Sequence, residues 1–304
     1  MIIETIKDGF RLANRNLPLV VVRIIVTFIN LASLALFLGL PVLVAIAFLG
    51  FDIAQVKDLL PSMIENPFDI VSRYLGLIFL LVAALILYML FSSLLLLYSF
   101  SGIMGVLRNS AVNTQFKFKV SSFFKEAGKN FARLFRLLSL VMLITFALIV
   151  ATLIIGGLLA AIMKSVTGTE STIEVFFNSF VTIFIVIMSI IIILSSIIFA
   201  VFSMVTSVVT MEGAMASMAR AYNFIKEKPQ SLLFCLILFI GIITVNGIFF
   251  SLQIPMQFMP FMMPLVYLLN ALGQSYLIIV MWSSLIMYYI KSVNYPVYSA
   301  GYEI

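Results

Sequence analysis

Hydrophobic positions in this chain come in long unbroken runs. Ile24–Phe51, Tyr74–Leu107, Leu137–Met163, Val175–Met211 and Pro229–Ile290 contain no charged side chain. Apolar runs longer than about 18 residues predict membrane-crossing helices. The last run is too long for one crossing. It breaks at "QIPMQFMPFMMP" (253–264), where three prolines and two glutamines mark a turn. The pattern therefore predicts six spans. The segments between them, about 20 to 30 residues at most, are too short to bury a core of their own. The expected fold is an all-α integral membrane protein, a single membrane domain over residues 1–304.

Three shorter segments carry a helical period instead. Ile6, Phe10, Ala13 and Leu17 follow a 4-3-4 spacing that puts them on one helix face. Val120, Phe124, Ala127 and Phe131 repeat it, and Met218, Tyr222, Ile225 and Pro229 follow it a third time. Basic residues occupy the other face: Lys7, Arg11 and Arg15 in the first copy, Lys125, Lys129 and Arg133 in the second. The third keeps a diluted version with Arg220, Lys226 and Glu227. Each segment precedes a hydrophobic run. The expectation is three tandem repeats, 1–110, 111–209 and 210–304, each an amphipathic interfacial helix followed by two spans. Two crossings per unit return the chain to the same side, so the repeats would be parallel rather than inverted.

Charge fixes the expected orientation. Basic residues cluster before the first run (Lys7, Arg11, Arg15, Arg23), between the second and third (from Arg108 to Arg136), between the fourth and fifth, and at Lys291. The alternate loops hold only Lys57, Arg73 and Lys164, together with Asp52, Asp58, Glu65, Asp69, Glu170 and Glu174. This positive-inside pattern, with six crossings, predicts both termini in the cytoplasm. The net charge of +6 is thus a topology signal, and no nucleic-acid partner is expected. With 63% hydrophobic and 10% charged residues, the chain lies far from soluble proteins, in which roughly a quarter of residues are charged. The amino terminus carries Glu4 and Asp8 ahead of a run about twice a typical signal-peptide core, so it does not read as a cleaved signal peptide.

Candidate chemistry is sparse. There is no histidine, which removes the commonest general base and metal ligand, and the single cysteine, Cys235, excludes disulfides and cysteine metal clusters. The acids of the first outer loop surround an apolar stripe of Ile53, Val56, Leu60 and Ile64, and read as the solvated face of an interfacial helix rather than a carboxylate catalytic pair. The methionines of "MQFMPFMM" (256–263) could bind Cu(I) by spacing, yet Met occurs 17 times in the chain, so no cofactor or metal is expected. No ionisable group lies in the middle of a span, which argues against proton-coupled transport. Asn246, Asn270 and Gln274 are the mid-membrane amides of the second half of the chain. They could line a solute path or bond helix to helix. Ser99, Gly102 and Gly105, and Ser196, Ala200, Ser203 and Ser207, form seams of small residues.

The stretch "MEGAMASMARAYNFIKEKPQSLLFCL" (211–236) resembles the membrane domain attached to some glycerophosphodiester phosphodiesterases, and related stand-alone bacterial six-span proteins. In those families a Glu-Gly pair ends the fourth span, a small-residue helix with Ser, Arg and an aromatic follows, and a Lys-rich turn enters the fifth. Glu212, Gly213, Ser217, Arg220, Tyr222 and Lys228 match that scheme, with Phe or Tyr where such helices often carry Trp. The resemblance implies a bacterial cytoplasmic membrane location. It brings no catalysis, because these 304 residues hold no counterpart of the soluble phosphodiesterase barrel.

Two functions remain to be separated. One is a non-enzymatic protein that organises or moves anionic lipid or a lipid-linked intermediate, with Arg11, Arg15, Lys125, Lys129, Arg133 and Arg136 meeting headgroups. The other is a permease for a neutral or amphipathic solute, lined by Asn246, Asn270 and Gln274. A lateral opening to lipid beside Lys125 and Arg133 would favour the first, and an aqueous pathway between repeats the second.

Overall fold

The computed structural model describes residues 2–50, 67–167, 172–254, 261 and 263–297. Asp52, Asp58, Glu65, Met256 and Met259 lie outside the described residues. Every described regular element is helical: α1 (Ile2–Arg15), α2 (Pro18–Leu34), a π-helical turn (Ala35–Gly39), α3 (Leu40–Gly50), α4 (Pro67–Val112), α5 (Val120–Thr167), α6 (Thr172–Thr210), α7 (Ala214–Glu227), α8 (Gln230–Gln253) and α9 (Met263–Ser292). Six helical stretches are long and apolar enough to cross a membrane: Pro18–Ala47, Leu75–Val112, Val120–Ser165, Val175–Thr210, Gln230–Ser251 and Met263–Ser292. They coincide with the six hydrophobic runs. The chain is a multi-pass helical membrane protein.

Prolines set several boundaries. Pro18 and Pro67 open α2 and α4, where a missing N–H costs nothing, and Pro229 stands immediately before α8. Asn16 and Leu17 separate α1 from α2, and Lys228 and Pro229 separate α7 from α8. The second basic segment has no proline, and there the structure departs from a separate helix followed by a span. α5 runs without interruption for 48 residues, about 72 Å at 1.5 Å per residue and more than twice a hydrocarbon core of ~30 Å. The π-helical turn inside the first span also has a proline behind it. Pro41 has no N–H for the carbonyl of Phe37 and its ring crowds that group. The wider turn just before it, closed by Leu40 N–H on the Ala35 carbonyl, absorbs the mismatch.

The chain divides into two compact units, one of residues 18–100 and one of 1–17 with 101–304. In the first, Phe37 meets Phe91 with ring centroids 5.7 Å apart. In the second, α5 packs on α6, α1 on α9, and α6 on α7. Burial in this unit is concentrated at one end of the helices. Ser101–Leu107, Val201–Val209 and most of Ile279–Ile290 are buried, whereas the rest of the same helices turns apolar side chains outward. Phe202, Phe224, Phe234, Tyr288 and Tyr289 form the aromatic part of this core, with Phe234 stacked on Tyr288 at 4.1 Å.

The side chains facing that core from α1 and α5 follow the apolar stripes that periodicity picks out only at Ala13 and Ala127. α1 buries Thr5, Gly9, Leu12 and Ala13, with Asn16 just beyond its end, and exposes Phe10 and Leu17. α5 buries Phe123, Glu126, Ala127 and Asn130, and exposes Val120 and Phe124. α7 buries Ser217, Met218, Ala221 and Phe224 and exposes Tyr222. Small residues explain the choice. A Cβ on Gly9 would sit 2.7 Å from Ser284 Cα, and one on Gly102 would sit 2.5 Å from the Phe123 ring. Helices approach closely only where such atoms are missing.

Candidate functional site

The basic residues gather where the buried ends of the helices meet, and the structure sorts them into two kinds. Arg15 and Arg133 are tied into the protein. Arg15 donates from Nε (3.0 Å) and Nη2 (2.6 Å) to Ser110 Oγ, and from Nη2 to the Asn113 carbonyl at 3.5 Å. Partial burial lowers its pKa through desolvation. Arg133 Nη1 donates to the Ser207 carbonyl and the Met211 sulfur, both at 3.3 Å, and to Asn130 Oδ1 at 3.5 Å. Met211 terminates α6 at φ 62°, a left-handed conformation that methionine seldom adopts, and Arg133 holds it from the side. Arg11 is exposed and pairs with Asp8 at 3.4 Å, a carboxylate that also binds Lys291.

Lys125, Lys129 and Arg136 differ. All three are exposed, and among the described residues none has an ion-pair partner. Their spacing of four and seven residues places them in one stripe along the outside of α5. Ala132 completes the stripe without adding charge. Sequence reading grouped Arg133 with them, but its ties to α6 remove it from the exposed set.

Glu126 was missed by sequence reasoning. It is buried against Gly105, and its Oε2 accepts from Asn130 Nδ2 at 3.2 Å. The signal was present: Glu126 and Asn130 are four apart on α5, opposite Gly102 and Gly105, three apart on α4.

The three amides do not come together. Gln274 Nε2 donates to Asn270 Oδ1 at 3.0 Å on the exposed side of α9, so these two satisfy each other. Asn246 lies half-buried on α8 and shares no hydrogen bond with either.

Two clefts open on the flanks of α5. One, of about 610 Å³, lies between α5 and the start of α7, lined by Phe135, Arg136, Ser139, Leu140 and Gly213–Ala216. The other, of about 390 Å³, lies between α5 and α6 near Lys164, over Gly156 and Gly157. No group of three His, Cys, Asp or Glu that could hold a metal ion occurs among the described residues. No protein-family model, no curated protein and no solved structure matches this chain.

Proposed function

We propose that this protein is a non-enzymatic membrane protein that binds anionic lipids and helps to organise or translocate them, or intermediates linked to them. It would sit in a bacterial cytoplasmic membrane, as the resemblance of residues 211–236 suggests, with both termini in the cytoplasm, as the distribution of basic residues suggests. The observation that carries this reading is the exposed stripe of Lys125, Lys129 and Arg136 on α5, which has no ion-pair partner among the described residues. A basic side chain near an anionic leaflet gains about 1 kcal/mol. Three together give about 3 kcal/mol, on the order of a hundredfold preference before screening. The mutual hydrogen bond of Asn270 and Gln274 favours lipid over the solute-permease alternative, since amides that satisfy each other offer little to a passing solute.

The same proposal includes three parallel repeats, 1–110, 111–209 and 210–304, each opening on an amphipathic helix. Burial in common register supports it. Gly9, Phe123 and Ala221 are buried, and the aromatics that follow them, Phe10, Phe124 and Tyr222, are exposed. Contacts repeat as well. α1 packs on α9 through Gly9 and Ser284, α5 on α4 through Phe123 and Gly102, and α7 on α6 through Phe224 and Phe202. Asn16 then reaches Ser110, Arg133 reaches the Ser207 carbonyl, and Lys228 reaches the Ser292 carbonyl at 2.6 Å. Each opening helix leans on the preceding repeat and bonds to the end of its own. The first leans on the third, which makes the order cyclic.

Lys125→Glu with Lys129→Glu tests the lipid reading. Arg108 and Lys117 still anchor that side of the membrane, so the variant should insert normally. Native mass spectrometry should then find less co-purifying anionic lipid than on the parent protein. Unchanged lipid content with intact insertion would leave these lysines a role in topology alone.

A further inference from the structure

We propose that the cleft between α5 and the start of α7 seats one glycerophospholipid, its phosphodiester on Arg136 and an acyl chain along Phe135, Leu140 and Met215. This deepens the lipid reading above and rests on it. The volume of about 610 Å³ falls within the roughly 300–1,000 Å³ typical of ligand sites. Its walls divide by chemistry. Phe135 and Met215 are exposed large hydrophobic side chains, at 47% and 70%, that water would not favour but an acyl chain would cover. Arg136 is the one charged residue of the lining, exposed and without an ion-pair partner among the described residues. A guanidinium presents paired donors that match two phosphate oxygens, where an ammonium acts as a point charge.

The acid beside the cleft has a basic partner of its own. Glu212 precedes Gly213 at the rim of the cleft, but its carboxylate is engaged by Arg220. Gly213 itself has open space where a Cβ would sit and gives no side-chain cap to α7, so no described residue fills this corner. The occupant is a lipid rather than free phosphate because the remaining lining, apart from Ser139 and Arg136, is apolar. The clustered cations of α5 would bring anionic headgroups to the cleft, and the cleft would hold one of them in place.

The test compares retention of a single lipid. The protein is placed in nanodiscs of phosphatidylglycerol and phosphatidylcholine with identical chains, then released and activated in native mass spectrometry. The parent protein should keep one phosphatidylglycerol after the bulk lipid has been stripped. Arg136→Gln should weaken that retention on the order of tenfold, the size expected for one lost charge-assisted hydrogen bond. Ala216→Leu, which fills the cleft from an exposed helical position, should do the same, while Arg136→Lys should retain part of it. Lys125→Glu with Lys129→Glu should lower the weakly held anionic lipid but leave the single adduct. Undiminished retention in folded Arg136→Gln, retention of phosphatidylcholine equal to that of phosphatidylglycerol, or displacement of the adduct by added millimolar inorganic phosphate overturns the cleft. If the double lysine variant still loses anionic lipid in that case, the broader lipid reading survives without it; if neither variant loses any, both fall.

Discussion

The side-chain amide of Asn16 donates to Ser110 Oγ at 2.8 Å, across 94 residues of chain and inside a buried contact. The same hydroxyl oxygen accepts two bonds from Arg15. One small side chain at the end of α4 thus satisfies both an amide and a guanidinium arriving from the end of α1. Asn16 also donates to the Leu12 carbonyl at 2.8 Å, which closes the last turn of α1 where Leu17 and Pro18 end it.

Ser110→Ala should therefore cost more than the loss of one hydroxyl suggests. It leaves one N–H of the buried Asn16 amide without its acceptor, a penalty of about 1–3 kcal/mol, and also releases the more exposed Arg15. The thermal midpoint of the purified protein should fall by several degrees. Asn16→Ala should cost less, because Arg15 would keep Ser110. A Ser110→Ala midpoint equal to the parent would show that water reaches this contact.

Two glycines on adjoining helices should respond in opposite directions. A Cβ on Gly105 would lie 2.6 Å from Glu126 Cβ, so Gly105→Ala must push α5 away from α4 at a cost of about 1–3 kcal/mol. Gly128, on the exposed side of α5, has no neighbour within 4 Å of the same construction. There the substitution only lowers the entropy of the unfolded chain and improves the helix, a gain of about 0.5–1 kcal/mol. Unfolding of both variants in the same detergent measures the two signs; a Gly105→Ala variant more stable than Gly128→Ala would place the α4–α5 seam elsewhere.

Much of this architecture could be read from the chain, and the part that could not has a physical cause. The six spans were legible because a charge inside a bilayer is costly and charge-free runs are therefore diagnostic. The inward face of α1 and α5 was not. In water an apolar stripe such as Val120 and Phe124 would mark the interior. In a membrane, lipid tails satisfy those side chains equally well, so hydrophobicity carries no inside–outside information. The interior is marked instead by glycine, serine and a few self-satisfied polar pairs, such as Gly102 and Gly105 facing Phe123, Glu126 and Asn130. Of the six basic candidates, residue type alone gave no means of separating Arg133 from Arg136, because the separation depends on Ser207 and Met211 far along the chain.

The proposed orientation makes a labelling prediction. Cys235 is the only cysteine and is buried, so it contributes little background. A cysteine replacing Ser165, exposed at the far end of α5, should react with an impermeant thiol reagent added to intact cells. One replacing Asn113, just beyond α4 at the basic end, should react only after lysis. Labelling of the Asn113 position from outside reverses the assignment of both termini.

Arg133 and Arg136 supply the last prediction, since they stand three residues apart on one helix and do different things. Arg133 joins α5 to the end of α6 through the Ser207 carbonyl and the Met211 sulfur, at a point where the backbone of Met211 is held left-handed. Arg133→Gln removes a charged donor from part-buried acceptors and should cost about 1–3 kcal/mol. Arg136 touches no acceptor among the described residues, so Arg136→Gln should change stability by no more than about 0.5 kcal/mol, as for an ordinary surface substitution. The comparison must use delipidated protein in neutral detergent, because a lipid that binds only the folded form stabilises it by mass action. Returning phosphatidylglycerol should then raise the midpoint of the parent and of Arg133→Gln, and raise that of Arg136→Gln much less. Equal lipid-dependent shifts in both variants would mean that the two arginines share one role.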